Sequence, residues 1–329
     1  MNQGTWMKRG VVAAALIAVA SATLTACGGD ESADGLTTIK VSYSEKVADN
    51  LPLWAAKEQG FFEAHGLEVE LVNLDSEKGF PALLSGQVDM AAIGGTQVVS
   101  AAAAGNDVKI LGAATPVLPF ELYADVATGV ELKGKKVGYT SKSGSQYVGT
   151  VEAIKAAGLE PSDVDLVPLG NVSNVNNALL SGAIDAAATH PPASLQFKNA
   201  GLHRLVDLAK EDIPYMNVSY VALTSYNEDH PEVLDQFFAA LKQGTDFVQG
   251  NQKGATRILG DYLGEDDQAA LDDAWNYYTS EVIQEAPLAS PEQLELSVEF
   301  LDGSVEGVKD VDLDGLIDPS HVEKAFGTS

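Results

Sequence analysis

Cysteine is almost absent: Cys27 is the only one among 329 residues, so no internal disulfide and no cysteine-based zinc site can form. Histidine is scarce and scattered, five in all, and there is no metal-ligand cluster, no histidine-rich tract and no Gly-x-Ser-x-Gly elbow. Those absences argue against an enzyme and leave no cofactor or metal to place. Basic residues are few, 20 Lys and Arg against 47 Asp and Glu, for a net charge of −27. A surface of that sign repels nucleic acid and anionic lipid headgroups. It also means that the overall field does not attract an anionic ligand. No hydrophobic run reaches the roughly 20 residues of a spanning helix.

What is present begins with a leader. Lys8-Arg9, the apolar run Val11 to Ala20 and the small residues Ser21 to Ala26 follow the order of a secretory signal. Leu24-Thr25-Ala26-Cys27 matches the bacterial lipobox, in which the leader is cut before the cysteine and the cysteine is lipidated. Residues 1–26 are thus expected to be a lipoprotein signal peptide, Cys27 the lipid site and residues 27–37 a flexible acidic tether. The expected location is extracytoplasmic, anchored to the cell membrane through the lipid alone. Cleavage leaves 329 − 26 = 303 residues and a charge of 18 − 47 = −29. That length has a soft prior of about two domains.

The chain then uses one stretch twice. ALLSGQVDMAAIG, Ala82 to Gly94, returns as ALLSGAIDAAATH, Ala178 to His190, at an offset of 178 − 82 = 96 residues. Each copy reads as a helix end, a glycine stop at Gly86 or Gly182, and a short strand too continuously apolar for a surface position. A new helix can begin directly after each strand, at Gly94-Gly95-Thr96-Gln97 and at Thr189-His190-Pro191-Pro192. Strand carboxyl ends beside helix starts are where open α/β sheets bind ligands. Two such edges facing each other make a cleft.

Strand and helix alternate through both halves, as in βαβ units. The spacing predicts strands at Thr38 to Ser44, Leu67 to Leu74, Val108 to Ala114, Lys136 to Tyr139, Asp163 to Leu169 and Leu202 to Leu208. Helices are predicted over Leu51 to Gly66 and Tyr147 to Ala157. Pro116 to Val126 is an irregular crossing, and Tyr220 to Ser225 a strand that carries the chain back. From Pro231 onward the pattern is helical, with an apolar stripe of Leu234, Phe237, Phe238, Leu241 and Val248 that reads as core. The expected division is 38–120 with 222–329 as lobe I, and 121–221 as lobe II including the hinge strands.

LPLWAAKEQGFFEAHGLEVELV, Leu51 to Val72, SGQVDMAAIGG, Ser85 to Gly95, LKGKKVGYTSKSGS, Leu132 to Ser145, and the closing DGLIDPSHVEKAF, Asp314 to Phe326, resemble the sulfonate, nitrate, taurine and thiamine-precursor binding proteins of ABC importers. The resemblance spans essentially the whole mature chain. It implies an α/β type II periplasmic-binding fold: two lobes, each a mostly parallel sheet flanked by helices, two hinge crossings and a ligand clamped between. It also implies a monomer that meets ABC permease subunits with a cytoplasmic ATPase.

The ligand site implied by the resemblance falls on Ser44 and Glu45 after the first strand, on Gly94, Gly95, Thr96 and Gln97, on the turn Ser141, Ser143, Gly144 and Ser145, and on Thr189 and His190. Helix starts offer unpaired N–H groups and partial positive charge, so an oxyanion can be held without arginine. Glu45 opposes that and favours an amine, an amide or a ring nitrogen. The ligand thus stays open between a small oxyanion of sulfonate, nitrate or taurine type and a thiamine-precursor-like or aromatic molecule. Trp54 and Tyr123 are the aromatics best placed to stack on it.

Asp89 and Asp185, the paired carboxylates of the repeat, fall at the amino ends of their strands and read as structural. His65, His203, His230 and His321 read as solvated. Asp310 to Gly315 matches the first half of a calcium loop, but His321 stands where a bidentate Glu is needed and Pro319 intrudes, so the loop reads as solvated and acidic. Besides the importer reading, an enzyme on the same fold and an extracellular sensor for a signalling receptor remain. Turnover assays and gene neighbours discriminate them.

Overall fold

The computed structural model describes residues 35–44, 46–74, 76–142, 144–211 and 213–328. The expected leader, Cys27 and most of the expected tether, together with Glu45 and Ser143, lie outside the described residues.

Among the described residues ten strands form two sheets: β1 Thr37–Tyr43, β2 Leu67–Asn73, β3 Met90–Ile93, β4 Val108–Val117, β5 Glu121–Ala124, β6 Lys136–Tyr139, β7 Asp165–Pro168, β8 Ala186–Thr189, β9 His203–Asp207 and β10 Pro214–Leu223. Their orders are β2-β1-β3-β10-β4 and β7-β6-β8-β5-β9. In each sheet the strand arriving from the other sheet, β10 or β5, enters antiparallel to both its neighbours. The other four strands run in one direction, so the mostly parallel expectation holds with one reversed strand per sheet.

The duplication is carried into register. Val41 pairs with Met90 between β1 and β3, and Val137 pairs with Ala186 between β6 and β8, each residue displaced by the same 96 positions. Gly86 and Gly182 have φ of 68° and 73°, a left-handed conformation in which a side chain would be strained. Each closes its helix by the same pair of bonds: Gly86 N–H to the Leu83 carbonyl at 3.1 Å and Gln87 N–H to Ala82 at 2.9 Å, then Gly182 to Leu179 at 3.1 Å and Ala183 to Ala178 at 2.9 Å.

Burial on both faces explains the unbroken apolar runs. Met90 and Ala92 join the core cluster that holds Ile39, Val41 and Phe237, whereas Ala91 and Ile93 join Val98, Ile110 and Leu294 on the other side. In the second sheet Ala186 and Ala188 face Val137 and Ile154, and Ala187 faces Val175 and Phe197. The expected stripe on Pro231–Gly250 is core: Leu234, Phe237, Phe238, Leu241 and Val248 are all buried. Among the described residues no helix is long and apolar enough to cross a membrane.

Several expectations are corrected. The Leu51 to Gly66 helix is two, Leu51–Glu58 and Phe61–Ala64, broken at Gly60, whose φ is 71°. The return strand starts at Pro214, so the second crossing lies between Asp207 and Pro214 and not near Val221. His321 is not solvated: it is buried between Asp235, 2.7 Å from Nδ1, and Asn227, 3.0 Å from Nε2. The acidic loop before it extends the edge of β4, with Ile110 N–H bonded to the Leu316 carbonyl at 2.8 Å and Asp318 N–H to Ile110 at 2.9 Å. Asp312 accepts from Gly315 N–H at 3.1 Å, closing that turn on itself.

Candidate functional site

Four strand ends converge between the sheets: β1 leads into Ser44, β3 into Gly94 and the helix Gly95–Ala103, β6 into Thr140 and the helix Ser145–Ala156, and β8 into His190. They surround a cavity of about 510 Å³, part of it open to solvent. The first lobe contributes Ser44, Val47, Asp49, Gly94 and Gln97, the second Phe120, Thr140, Gly144, Ser145, Gln146, Val172 and His190, and β10 adds Asn217 and Val218. An adjoining pocket that shares Val47, Val172 and His190 with it is lined by Asn73, Asn171, Asn174, Asn176 and Asn177 and by Lys46 and Glu265.

The lobes touch across this cavity. Ser145 Oγ donates to the Asn217 carbonyl at 3.1 Å. A Cβ placed on Gly94 would stand 2.4 Å from Ser145 Oγ and 3.3 Å from the Asn217 oxygen. Gly94 is therefore required by close approach, its φ of −74° being open to any residue.

The wall is polar and carries negative charge. Asp49 is 1% exposed; its Oδ1 accepts from Asn217 Nδ2 at 2.8 Å and its Oδ2 from the Tyr278 hydroxyl at 2.8 Å. Burial, and then the neighbouring Asp49 charge, push the Tyr278 hydroxyl well above the usual phenol range, so it serves as a fixed donor. Gln146 Nε2 donates to the Ala188 carbonyl at 2.8 Å. Asn217 Oδ1 and Gln146 Oε1 are buried without a hydrogen-bond partner. Among the described residues no Lys or Arg lines the cavity. His190 is 6% exposed and lies against Phe120, ring centroids 5.8 Å apart, and edge-on to Tyr278 at 6.4 Å.

Of the residues singled out from sequence, Ser44, Gly94, Gln97, Gly144, Ser145 and His190 stand in the lining. Gly95 is packed behind it, where a Cβ would be 2.9 Å from Leu294 Cδ2. Thr96 turns inward: its Oγ1 is 2.8 Å from the Tyr215 hydroxyl and 3.2 Å from Ser297 Oγ. Thr189 Oγ1 donates to Asn176 Oδ1 at 3.1 Å, and neither Thr189 nor Ser141 is in the lining. Trp54 is no stacking platform; it has no exposed surface and lies flat on Tyr262, centroids 4.4 Å apart. Tyr123 is placed elsewhere too, against Phe197 at 5.7 Å and beside a separate polar pocket that contains Glu121 and Arg204. There burial pushes the Glu121 carboxyl up, although Arg204 bonds to it and draws it down.

Sequence reasoning missed Asp49, Phe120, Thr140, Gln146 and Asn217. The clearest available signal was Asn217, a lone amide inside the apolar strand Pro214–Leu223. Asp49 sits in a short turn of 3-10 helix, Ala48–Asn50, just before Leu51–Glu58, where an acidic residue ordinarily reads as a helix cap.

A family model described as NMT1/THI5 like matches residues 48–255. A Bacillus subtilis protein named as the binding protein YtlA is 23% identical over 332 residues, covering 97% of this chain and 98% of its own. Another from the same organism, named for binding aliphatic sulfonates, is 23% identical over 97% of both chains. The 4-amino-5-hydroxymethyl-2-methylpyrimidine phosphate synthase of Aspergillus parasiticus is 25% identical over 231 residues, 60% of this chain and 62% of the enzyme. Among solved structures, the periplasmic aliphatic sulphonate binding protein SsuA of Escherichia coli superposes with a TM-score of 0.67 at 21% identity, covering 85% of this chain and 92% of SsuA. The periplasmic nitrate-binding protein NrtA of Synechocystis PCC 6803 gives 0.66 at 16% identity, over 88% of each chain. The matched span exceeds half the chain and contains most of the cavity wall, and the fold is that of two-lobed periplasmic binding proteins: this chain belongs to the NMT1/THI5-like family.

Proposed function

We propose that the chain is the extracytoplasmic solute-binding component of an ABC importer, held at the membrane by a lipid on Cys27 and delivering a small polar solute to permease subunits driven by a cytoplasmic ATPase. The observation that carries this reading is the cavity walled by both lobes and by β10. A solute held there touches both lobes at once, so it favours the closed arrangement over any in which they part, and binding shifts that population. The relatives named for binding cover nearly the whole chain, whereas the synthase covers 60% of it. Within the cavity, Ser145 and His190 are bonded to backbone oxygens, of Asn217 and Pro191, and not to each other, which supports a binder over a nucleophile–base pair.

The test combines a thermal-shift panel of sulfonates, nitrate, amines and heteroaromatics with small-angle scattering and turnover assays on the mature chain. A solute at 100 times its dissociation constant stabilises by about 2.7 kcal/mol. A binder shows a raised melting temperature, a smaller radius of gyration and no product. Turnover of a stabilising compound, or uptake in cells that is unchanged when the gene is deleted, overturns the reading.

A further inference from the structure

The importer reading leaves the solute's chemistry open, and the cavity wall narrows it. Two features of that wall pull in opposite directions. The starts of Gly95–Ala103 and Ser145–Ala156 bring backbone N–H groups and about half a positive charge each, which favours an acceptor. Asp49, Asn217 and Gln146 bring acceptors. The orientation of both amides is fixed by what they already bond. Asn217 must turn its NH₂ to the Asp49 carboxylate, and Gln146 must turn its NH₂ to the Ala188 carbonyl, because each of those partners can only accept. A flip of either side chain would set oxygen against oxygen. Asn217 Oδ1 and Gln146 Oε1 are therefore carbonyl oxygens held in place, each in a residue more than nine-tenths buried, each without a donor. Of the buried side-chain polar atoms without a partner among the described residues, these two alone belong to residues that line the cavity, and an unpaired buried acceptor is costly. Both residues line the same cavity as Asp49, whose oxygens retain spare lone pairs beyond the Asn217 and Tyr278 bonds.

We infer that the solute presents N–H donors to this wall: an organic amine or amidine-like cation, bonded by Asn217 Oδ1 and Gln146 Oε1 and neutralised by Asp49, and not a bare oxyanion. Asp49 and the two fixed carbonyl oxygens all present acceptors, and no Lys or Arg among the described lining residues donates to them. Phe120 and His190 on one side and Val47, Val172 and Val218 around it give the carbon part of such a cation apolar and aromatic surface. The helix starts remain for an acceptor atom elsewhere on the same molecule.

The test uses isosteric probe pairs of opposite hydrogen-bond polarity on the wild-type chain: acetamidine against acetate, and benzamidine against benzoate. Each pair keeps shape and exchanges donors for acceptors. Titration calorimetry is expected to show the amidine bound at least roughly tenfold more tightly in one pair or both, a factor of ten being one step on the affinity scale. Asn217→Leu and Gln146→Met should each bring that ratio towards one. Should either variant fail to fold, the wild-type ratio decides alone. Tighter binding of the carboxylate, with closure seen by scattering, overturns the inference and leaves the importer reading intact. Binding of neither member of either pair also overturns it, and the importer reading is then judged on uptake in the deletion strain.

Discussion

Ser145 and Asn217 join the two lobes at one point: the serine opens a helix of the second lobe, and its hydroxyl donates to the carbonyl of an asparagine on β10, in the sheet of the first, at 3.1 Å. Gly94 lies against the same hydroxyl, where a Cβ would come within 2.4 Å. The lobes come this close here because one partner is a glycine and the other a short polar side chain.

Gly94→Ala should therefore wedge the cleft. Its Cβ collides with Ser145 Oγ but is 3.8 Å from Ser145 Cβ, an ordinary contact. The double variant Gly94→Ala with Ser145→Ala should then close again in part, because the overlapping oxygen is gone. Scattering should show a larger radius of gyration for the single alanine than for wild type, and an intermediate value for the pair. Equal radii for all three would mean that Gly94 does not limit closure.

Asp89 and Asp185 repeat one bond at the far ends of the sheets: Asp89 Oδ2 accepts from Lys40 N–H and Asp185 Oδ2 from Lys136 N–H, each at 2.7 Å. Replacing either by alanine hands an exposed strand N–H to water, a loss of about 1 kcal/mol. Solute affinity should not change, since neither lines the cavity. For Asp185, burial raises the carboxyl, but the Lys136 N–H and the Lys135 ammonium outweigh it and hold the group below its ordinary value. A depressed folded pKa contributes stability above the unfolded value, lost as pH falls through the folded one. The gap in urea midpoint between wild type and Asp185→Ala should thus shrink under acid. A constant gap, or an altered affinity, would contradict this account.

The architecture was legible because its signals are local. A glycine that must adopt positive φ and a four-residue apolar strand buried on both faces leave traces in sequence, and the 96-residue offset aligns them. The reversed strands β5 and β10 were not legible, since periodicity carries no direction. The candidate site was legible at the turns that follow the strands, at Ser44, Gly94, Gln97, Gly144, Ser145 and His190. Side-chain direction was not: Thr96 and Trp54 sit beside the right elements and face the core. Asn217, Gln146 and Asp49 acquire their meaning from one another across 217 − 49 = 168 positions of chain, which no local pattern encodes.

Cys27→Ser tests the anchor. If Cys27 carries the lipid, the variant should leave the membrane fraction, either uncleaved or released as an exported soluble chain, while solute affinity of the purified protein stays the same. The same membrane association for both forms would remove the anchor from the proposal and leave the cleft untouched.

The last prediction concerns the closing helix Ser320–Phe326. His321 and Lys324 on it both reach Asp235 on Pro231–Gly250, and Asn227 Nδ2 donates to Asp318 at 2.8 Å just ahead of it. Burial pushes the Asp235 and Asp318 carboxyls up. For Asp235 the bonds and charges of Lys324 and His321 outweigh burial, and for Asp318 the bonds from Ser320 and Asn227 do, so both end below the ordinary carboxyl range. The folded state therefore binds fewer protons than the unfolded chain where these groups titrate. Their contribution is complete above the unfolded carboxyl value of about 3.9 and is lost as pH falls through the lower folded values. With a hydrogen bond to a charged group worth about 1.5 to 3 kcal/mol, residues 320–326 should lose amide protection in acid before the Phe237 and Phe238 core opens. Asp235→Asn should show the lower protection near neutral pH already, and converge with wild type in acid. Hydrogen-exchange protection factors across that range decide it: identical values for the two proteins at neutral pH, or protection of this helix that persists until the core unfolds, would show that the carboxylates do not hold it.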